Sequence, residues 1–280
     1  MAEENSPILE IKDLNYSYDN KNNVLNNINL KINKSEKIAV LGSNGAGKST
    51  LFLNINGVYK GSGDIYLYGN KITKKTLNQL RKCTGYVFQE PDSQIVGSTV
   101  FSEVSFGLSN LKLPANEIKE KTTNVLKKMG LYHYKDRPPH YLSGGEKKRV
   151  ATAGVVVMQP DIILFDEPMA SLDPGNLAIF ENILSWLEAE GKTIIISTHN
   201  ADFAYKWAER IIVLNSGSII ADDTPIKIFT SDKILKTANL RKPVFLQIYE
   251  IIKEKYPGGG YNYNKAPRCI NEFTEWFNHL

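Results

Sequence analysis

The chain has 280 residues, 42% of them hydrophobic and 23% charged, an ordinary globular composition for one large domain or two modest ones. Thirty-four Lys+Arg against thirty Asp+Glu leave a net charge of +4, a mild excess that calls for no nucleic-acid partner. Two cysteines, Cys83 and Cys269, exclude a disulfide framework, the acidic opening Met1–Ser6 is not expected to be a signal peptide, and no apolar run nears the ~20 residues of a membrane span.

In chain order, Ile8–Leu14 alternates in part and Ile28–Ile32 alternates strictly, the period of strands with one buried face. The Asn-rich stretch Asp19–Asn27 between them has the composition of turns. Lys37–Leu41 is a short apolar run that stops at Gly42, as a buried parallel strand would, and Leu51, Phe52 and Ile55 after it have helical spacing. Ile118–Met129 reads as a charged amphipathic helix ended by Arg137-Pro138-Pro139. Two more buried strands, Ile162–Phe165 and Thr193–Ser197, are interleaved with helical segments around Lys147–Met158 and Leu177–Glu190. Ile211–Leu214, Asn215-Ser216-Gly217 and Ser218–Ile220 read as a hairpin. Strands alternating with helices imply an α/β fold with a mostly parallel sheet flanked by helices. Beyond Thr224 the character shifts: Pro257–Gly260 and Tyr261–Asn264 read as a connector, and Phe273, Trp276, Phe277 and Leu280 form one helical stripe.

Gly42-Ser43-Asn44-Gly45-Ala46-Gly47-Lys48-Ser49 matches G-x-x-x-x-G-K-[ST] between a strand and a helix, the context that a phosphate-binding loop requires. Its glycines let backbone N–H groups face a β-phosphate at a helix N-terminus; Lys48 can reach the β- and γ-phosphates, and the Ser49 hydroxyl can ligate Mg²⁺. Thr50 completes the candidate nucleotide-binding run. Ile162–Phe165 then delivers two adjacent carboxylates: Asp166 can hold the Mg²⁺ shell while Glu167 polarises the attacking water. A third segment, Leu142-Ser143-Gly144-Gly145-Glu146, opens a helix with a Ser143/Glu146 capping box. Ser143 and the bare N–H groups of Gly144 and Gly145 form a second candidate anion site.

These motifs, with Gln89, Leu172-Asp173 and His199 in order, resemble ATP-binding-cassette ATPases from about Ile8 to Thr224. The resemblance implies a P-loop NTPase fold with an N-terminal antiparallel β-subdomain, a helical subdomain over about 90–158, and a small C-terminal extension over 225–280 that dimerises or braces the cassette. It implies two chains packed head to tail, each ATP held between one chain's phosphate loop and the other's signature. Gln89 is similar to the residue that contacts Mg²⁺ and water, His199 to the switch histidine at the γ-phosphate, and Tyr18 (with Tyr16 as rival) to the aromatic that stacks on adenine. Two departures stand out: Glu146 replaces a frequent Gln, and Pro168–Pro174 lacks two hydroxyls of the usual loop, leaving Ser171.

Phe88–Gln94, Pro138–Val150 and Ala238–Pro243 resemble the cobalt-type ATPase of energy-coupling-factor importers. That implies an ATPase at the cytoplasmic face of the membrane, working as a homodimer or with a sister ATPase, against a membrane-embedded coupling subunit and a substrate-binding subunit. Gln94 is then similar to an extra glutamine at the docking surface. His133, His140, His199 and His279 are scattered, so recognition of a transported cobalt or nickel ion is expected in another subunit, leaving ATP and Mg²⁺ as the ligands here. Vitamin uptake is the neighbouring reading. A DNA-repair or translation ATPase fits less well, because no long heptad insert separates the motifs and only one set is present.

Overall fold

A computed structural model describes residues 6–19, 21–256, 262 and 266–278. It begins with β1 (Leu9–Ser17), β2 (Asn23–Ile32), β3 (Lys37–Leu41), α1 (Lys48–Ile55), β4 (Ser62–Leu67), β5 (Asn70–Lys71), α2 (Leu77–Cys83) and β6 (Thr84–Val87). A helical block follows, α3 (Val100–Asn110), α4 (Ala115–Lys128) and α5 (Gly144–Val156). The chain then alternates β7 (Ile162–Asp166), α6 (Pro174–Ala189), β8 (Thr193–Ser197) and α7 (Ala201–Trp207) before the hairpin β9 (Arg210–Asn215) and β10 (Ser218–Asp223). It closes with α8 (Pro225–Phe229), α9 (Asp232–Ala238), α10 (Val244–Lys255) and α11 (Ile270–Asn278).

The larger sheet has the order β10-β9-β3-β8-β7-β6, parallel except for β10, and the smaller is antiparallel in the order β2-β1-β4-β5. The two-residue period of the strands decides what covers each face of the larger sheet. Ile38, Val40, Ile162, Leu164, Ile195, Ile212 and Leu214 join the cluster under the antiparallel sheet and α1. On the other face, Ile163, Phe165, Ile194 and Ile196 meet the cluster of α3, α5 and α6. Ala39, Leu41, Ile211 and Val213 on that face lie under the C-terminal helices. With both faces covered, these strands need no polar alternation, which is why they read as continuous apolar runs. Each fully buried Phe or Leu in such a layer contributes about 1.5–3 kcal/mol over an exposed one.

Polar bridges hold the sheets together. The Tyr68 hydroxyl donates to Asp161 Oδ2 at 2.7 Å, joining the β4–β5 turn to the start of β7. Arg210 pairs with both oxygens of Asp222 and reaches Lys31 O and Glu36.

One expectation is corrected. The Asn-rich stretch is a turn only as far as Asn22, because β2 already begins at Asn23. Tyr16 opposes Leu25, and Leu25 is fully buried, so core packing overrides the turn preference of its neighbours. Asn27 accommodates the resulting irregularity at φ 48°.

Beyond Thr224 the chain packs onto the sheet it follows. Leu246, Tyr249 and Ala266 are buried with Ala39, Leu41, Tyr205 and Phe229. In the apolar stripe of α11, Trp276 lies 5.0 Å from the Tyr249 ring and Phe273 6.1 Å from Phe245, whereas Phe277 is exposed. Leu280 and the connector positions 257–261 and 263–264 lie outside the described residues.

Candidate active site

Parallel strands bring their C-terminal ends to one edge, and here register makes the junction specific. Val40 of β3 pairs with Ser197 of β8, and Ser197 pairs with Asp166 of β7. The three chain segments that leave this edge are the loop from Gly42, the Asp166-Glu167 pair and Thr198-His199.

The first segment wraps into an anion cradle. Gly45 and Gly47 adopt φ of 80° and 104°, where an L side chain is strained. A Cβ on Gly42 would meet Leu214 O at 2.4 Å. No acceptor among the described residues takes the backbone N–H of Asn44, Gly45, Gly47, Lys48, Ser49 or Thr50, and Gly47 supplies no side-chain cap to α1. Unpaired N–H groups at a helix N-terminus have the geometry that favours an anion. Lys48 is buried, and its ammonium donates to Gly42 O at 2.8 Å and Ser43 O at 3.3 Å.

Glu167 stands 3.7 Å from that ammonium through Oε1, which is buried and accepts no hydrogen bond. Its Oε2 lies 2.9 Å from His199 Nδ1. The His199 side chain is 69% exposed, so its Nε2 is available for a second partner. The backbone of Glu167 sits in the left-handed region at φ 44°, held there by its N–H donating to Ser197 O at 3.1 Å and Ser197 Oγ at 3.0 Å. Strain of this kind persists only where the surroundings over-determine it. Asp166 is 3% exposed and accepts from the Ser197 hydroxyl on Oδ1 and from the Tyr86 hydroxyl at 2.9 Å on Oδ2. Burial, followed by the Asp166 charge, pushes the Tyr86 phenol far above its ordinary range, so it stays a donor.

Tyr18 is 61% exposed, its hydroxyl 2.9 Å from Thr50 Oγ1. Tyr16 meets it edge-on and is itself stacked on Tyr59 at 5.0 Å, which leaves Tyr18 the more accessible ring. Gln89 is exposed, and its side chain makes no hydrogen bond among the described residues. Gln94 is fixed differently from an open loop residue: its Oε1 accepts from Phe88 N at 3.0 Å and braces the turn around Gln89.

The signature segment opens α5. Ser143 caps α5 and completes the capping box with Glu146, while the N–H groups of Gly144 and Gly145 meet no acceptor among the described residues. A Cβ on Gly144 would enter open space, and one on Gly145 would strike Asn176 at 2.4 Å. Among the described residues, no hydrogen bond or ion pair links Ser143, Gly144 or Gly145 to the 42–50 loop. Instead α5 is strapped to the loop after Glu167, because Lys148 donates to Pro168 O at 3.2 Å and to Ala170 O. Sequence reading missed Tyr86, Ser197 and Lys148, since a hydroxyl or ammonium that supports another side chain or a distant loop carbonyl belongs to no linear motif.

Residues 25–170 match the family described as ABC transporter. The energy-coupling factor transporter ATP-binding protein EcfA2 of Methanospirillum hungatei is 42% identical over 279 residues, 98% of this chain and 69% of that protein. The protein EcfA of Methanothermobacter thermautotrophicus, of the same description, is 44% identical over 84% of this chain and 77% of its own length. The solved structure of cbiO1 from Clostridium perfringens, described as part of the ABC transporter complex cbiONQ, is 40% identical with a TM-score of 0.74. It covers 89% of this chain and 100% of its own.

Proposed function

Because this chain belongs to the ABC transporter family and is an ATPase, we propose that it powers an energy-coupling-factor importer, hydrolysing ATP at the edge where β3, β7 and β8 end. The observation that carries this reading is the convergence of Lys48 and His199 on the buried carboxylate of Glu167, with an uncapped helix N-terminus nearby. In it, the N–H groups of Asn44, Gly45 and residues 47–50 and the Lys48 ammonium bind the phosphates, and Tyr18 offers its exposed ring to the adenine. Glu167 takes the proton of the attacking water, and His199 orients Glu167 and reaches the γ-phosphate.

The site fits Mg²⁺ as ATP carries it. Ser49 offers a hydroxyl without a protein partner, Asp166 a carboxylate and Gln89 an amide, and no group of three or more His, Cys, Asp or Glu forms a cage among the described residues. A cation held by few protein groups and by phosphate oxygens is the ordinary Mg²⁺ arrangement. When bound, Mg²⁺ neutralises charge developing on the β- and γ-oxygens.

Ser143 and the bare N–H groups of Gly144 and Gly145 offer a second anion site with no hydrogen bond to the cradle among the described residues, which supports a pair of chains in which each signature closes its partner's site. No helix among the described residues is long and apolar enough to cross a membrane, so the reading requires a membrane-embedded coupling subunit, with the ATPase on its cytoplasmic face. The 88–94 turn is the docking surface in this reading. A transition metal, cobalt or nickel, is the cargo favoured by Phe88–Gln94, Pro138–Val150 and Ala238–Pro243; uptake assays across cobalt, nickel and vitamins with reconstituted membrane subunits decide it.

Hydrolysis is tested by Glu167→Gln, which keeps the side chain's shape and removes its basicity. ATP binding is expected to persist while turnover falls by about 100-fold or more. Light scattering is expected to find an ATP-dependent dimer, and near-normal turnover would take Glu167 out of the role.

A further inference from the structure

Asp166 lies too deep to be oriented by water, and its two oxygens are each met by a different hydroxyl, from β6 and from β8. A carboxylate has about four lone-pair sites, so two such donors fix its plane and still leave it able to bind outward. Tyr86 is 8% exposed, and its ring packs edge-on against Phe52 of α1 at 6.3 Å and lies tilted at 45° to Phe88 at 4.6 Å. Phe88 is in turn the residue whose N–H is held by Gln94. Ser197 has a double duty, donating to Asp166 and accepting from Glu167 N, so it sets the spacing of both acids.

From this geometry we infer that Tyr86 and Ser197 are positioning residues that clamp Asp166 for the metal–nucleotide, and that the Tyr86 ring ties this clamp to the Phe88–Gln94 turn. The inference rests on the reading of Asp166 as the carboxylate that meets Mg²⁺. It adds a route from a surface turn to that carboxylate through packed side chains, separate from the Gln89 amide. The phenol is the residue at which the two ends of the route can be separated, because Phe keeps the ring and loses only the hydroxyl.

The test measures binding of a fluorescent non-hydrolysable ATP analogue to the full chain, in EDTA and along a Mg²⁺ titration, for Tyr86→Phe, Ser197→Ala, Gln94→Ala and Asp166→Asn. Tyr86→Phe is expected to bind as the parent does in EDTA, while the Mg²⁺ needed for half-maximal tightening rises by about 10- to 100-fold, the usual loss when a supporting partner of a metal ligand is removed. Ser197→Ala should move in the same direction. Gln94→Ala should shift the Mg²⁺ midpoint in the parent and add little on top of Tyr86→Phe, as coupled residues do. An unchanged midpoint in both hydroxyl variants, with a shifted one in Asp166→Asn, overturns the clamp alone. Equal weakening in EDTA and in Mg²⁺ also overturns it, since that is what a merely structural role would produce. Full additivity of Gln94→Ala and Tyr86→Phe overturns the tie to the turn. An unmoved midpoint in Asp166→Asn overturns the underlying site reading and the clamp with it.

Discussion

Lys48 and Glu167 are buried opposite charges 3.7 Å apart, and neither has a carboxylate–ammonium hydrogen bond to satisfy it fully. Such a pair is held for what it can bind, because its desolvation is not offset by ideal geometry. Lys48→Met keeps the buried stem and deletes the charge. Nucleotide affinity should then fall roughly 10- to 100-fold, the worth of one or two charge-assisted bonds, as read by equilibrium titration. Glu146, which departs from the usual Gln, turns its carboxylate back onto Ser143 N at 2.8 Å. Burial alone would raise its pKa, but the Ser143 N–H and the Tyr134 hydroxyl outweigh that and hold it below the ordinary carboxylate value. A lowered folded pKa means stabilisation present above the unfolded value of about 4.3 and lost as pH falls through the folded one. Glu146→Gln should therefore cost up to about 1 kcal/mol at neutral pH, and the two proteins should converge in acid, by urea denaturation at each pH.

The elements add constraints that no single residue carries. The β9–β10 hairpin was legible from Asn215-Ser216-Gly217, yet its contact with the phosphate loop was not. Gly217 N donates to Ala46 O at 3.1 Å, and Asn26 N donates to Gly217 O at 2.8 Å, so the turn is a strut between β2 and the cradle. Gly217 has φ 78°, and a Cβ there would lie 2.3 Å from Val24 O. Gly217→Ala should destabilise the fold by about 1–3 kcal/mol in urea and weaken nucleotide binding with it. The helix α3 escaped sequence reading for a related reason. Its capping box pairs Thr99 with Ser102 where the sequence signature expects Glu or Gln. Similarly β6 is four buried residues, too short to display a period, and only its pairing with β7 makes it a strand.

For the whole molecule, the absence of any hydrogen bond between the signature and the phosphate loop among the described residues has a consequence for Ser143→Arg. Because Ser143 makes no hydrogen bond to the 42–50 loop among the described residues, and Lys148 straps α5 to the loop after Glu167, a bulky cation at Ser143 should leave nucleotide binding by the monomer unchanged. Hydrolysis, which in our proposal needs the partner's signature, should fall about 100-fold, as when a transition-state donor is removed. Fluorescent-nucleotide titration beside a phosphate-release assay separates the two effects, and loss of binding by the monomer would contradict the division. The C-terminal helices bear on the same question. Leu246 and Tyr249 share a core with β3, the strand that leads into the phosphate loop, so the extension packs on that sheet.

By itself the sequence determined the central strands and the helices that follow them, and it singled out the candidate site residues. Those depend on local spacing: a glycine-rich turn, an apolar run ending in two acids, a capping box. Tertiary structure alone decided that Ser197 lies between Asp166 and Glu167, that Tyr86 reaches across from β6, and that Lys148 spans from α5 to the next loop. Those contacts join residues 20 or more positions apart: strand register brings Tyr86 and Ser197 to the acids, and packing of α5 brings Lys148 to its loop, neither of which a local pattern encodes.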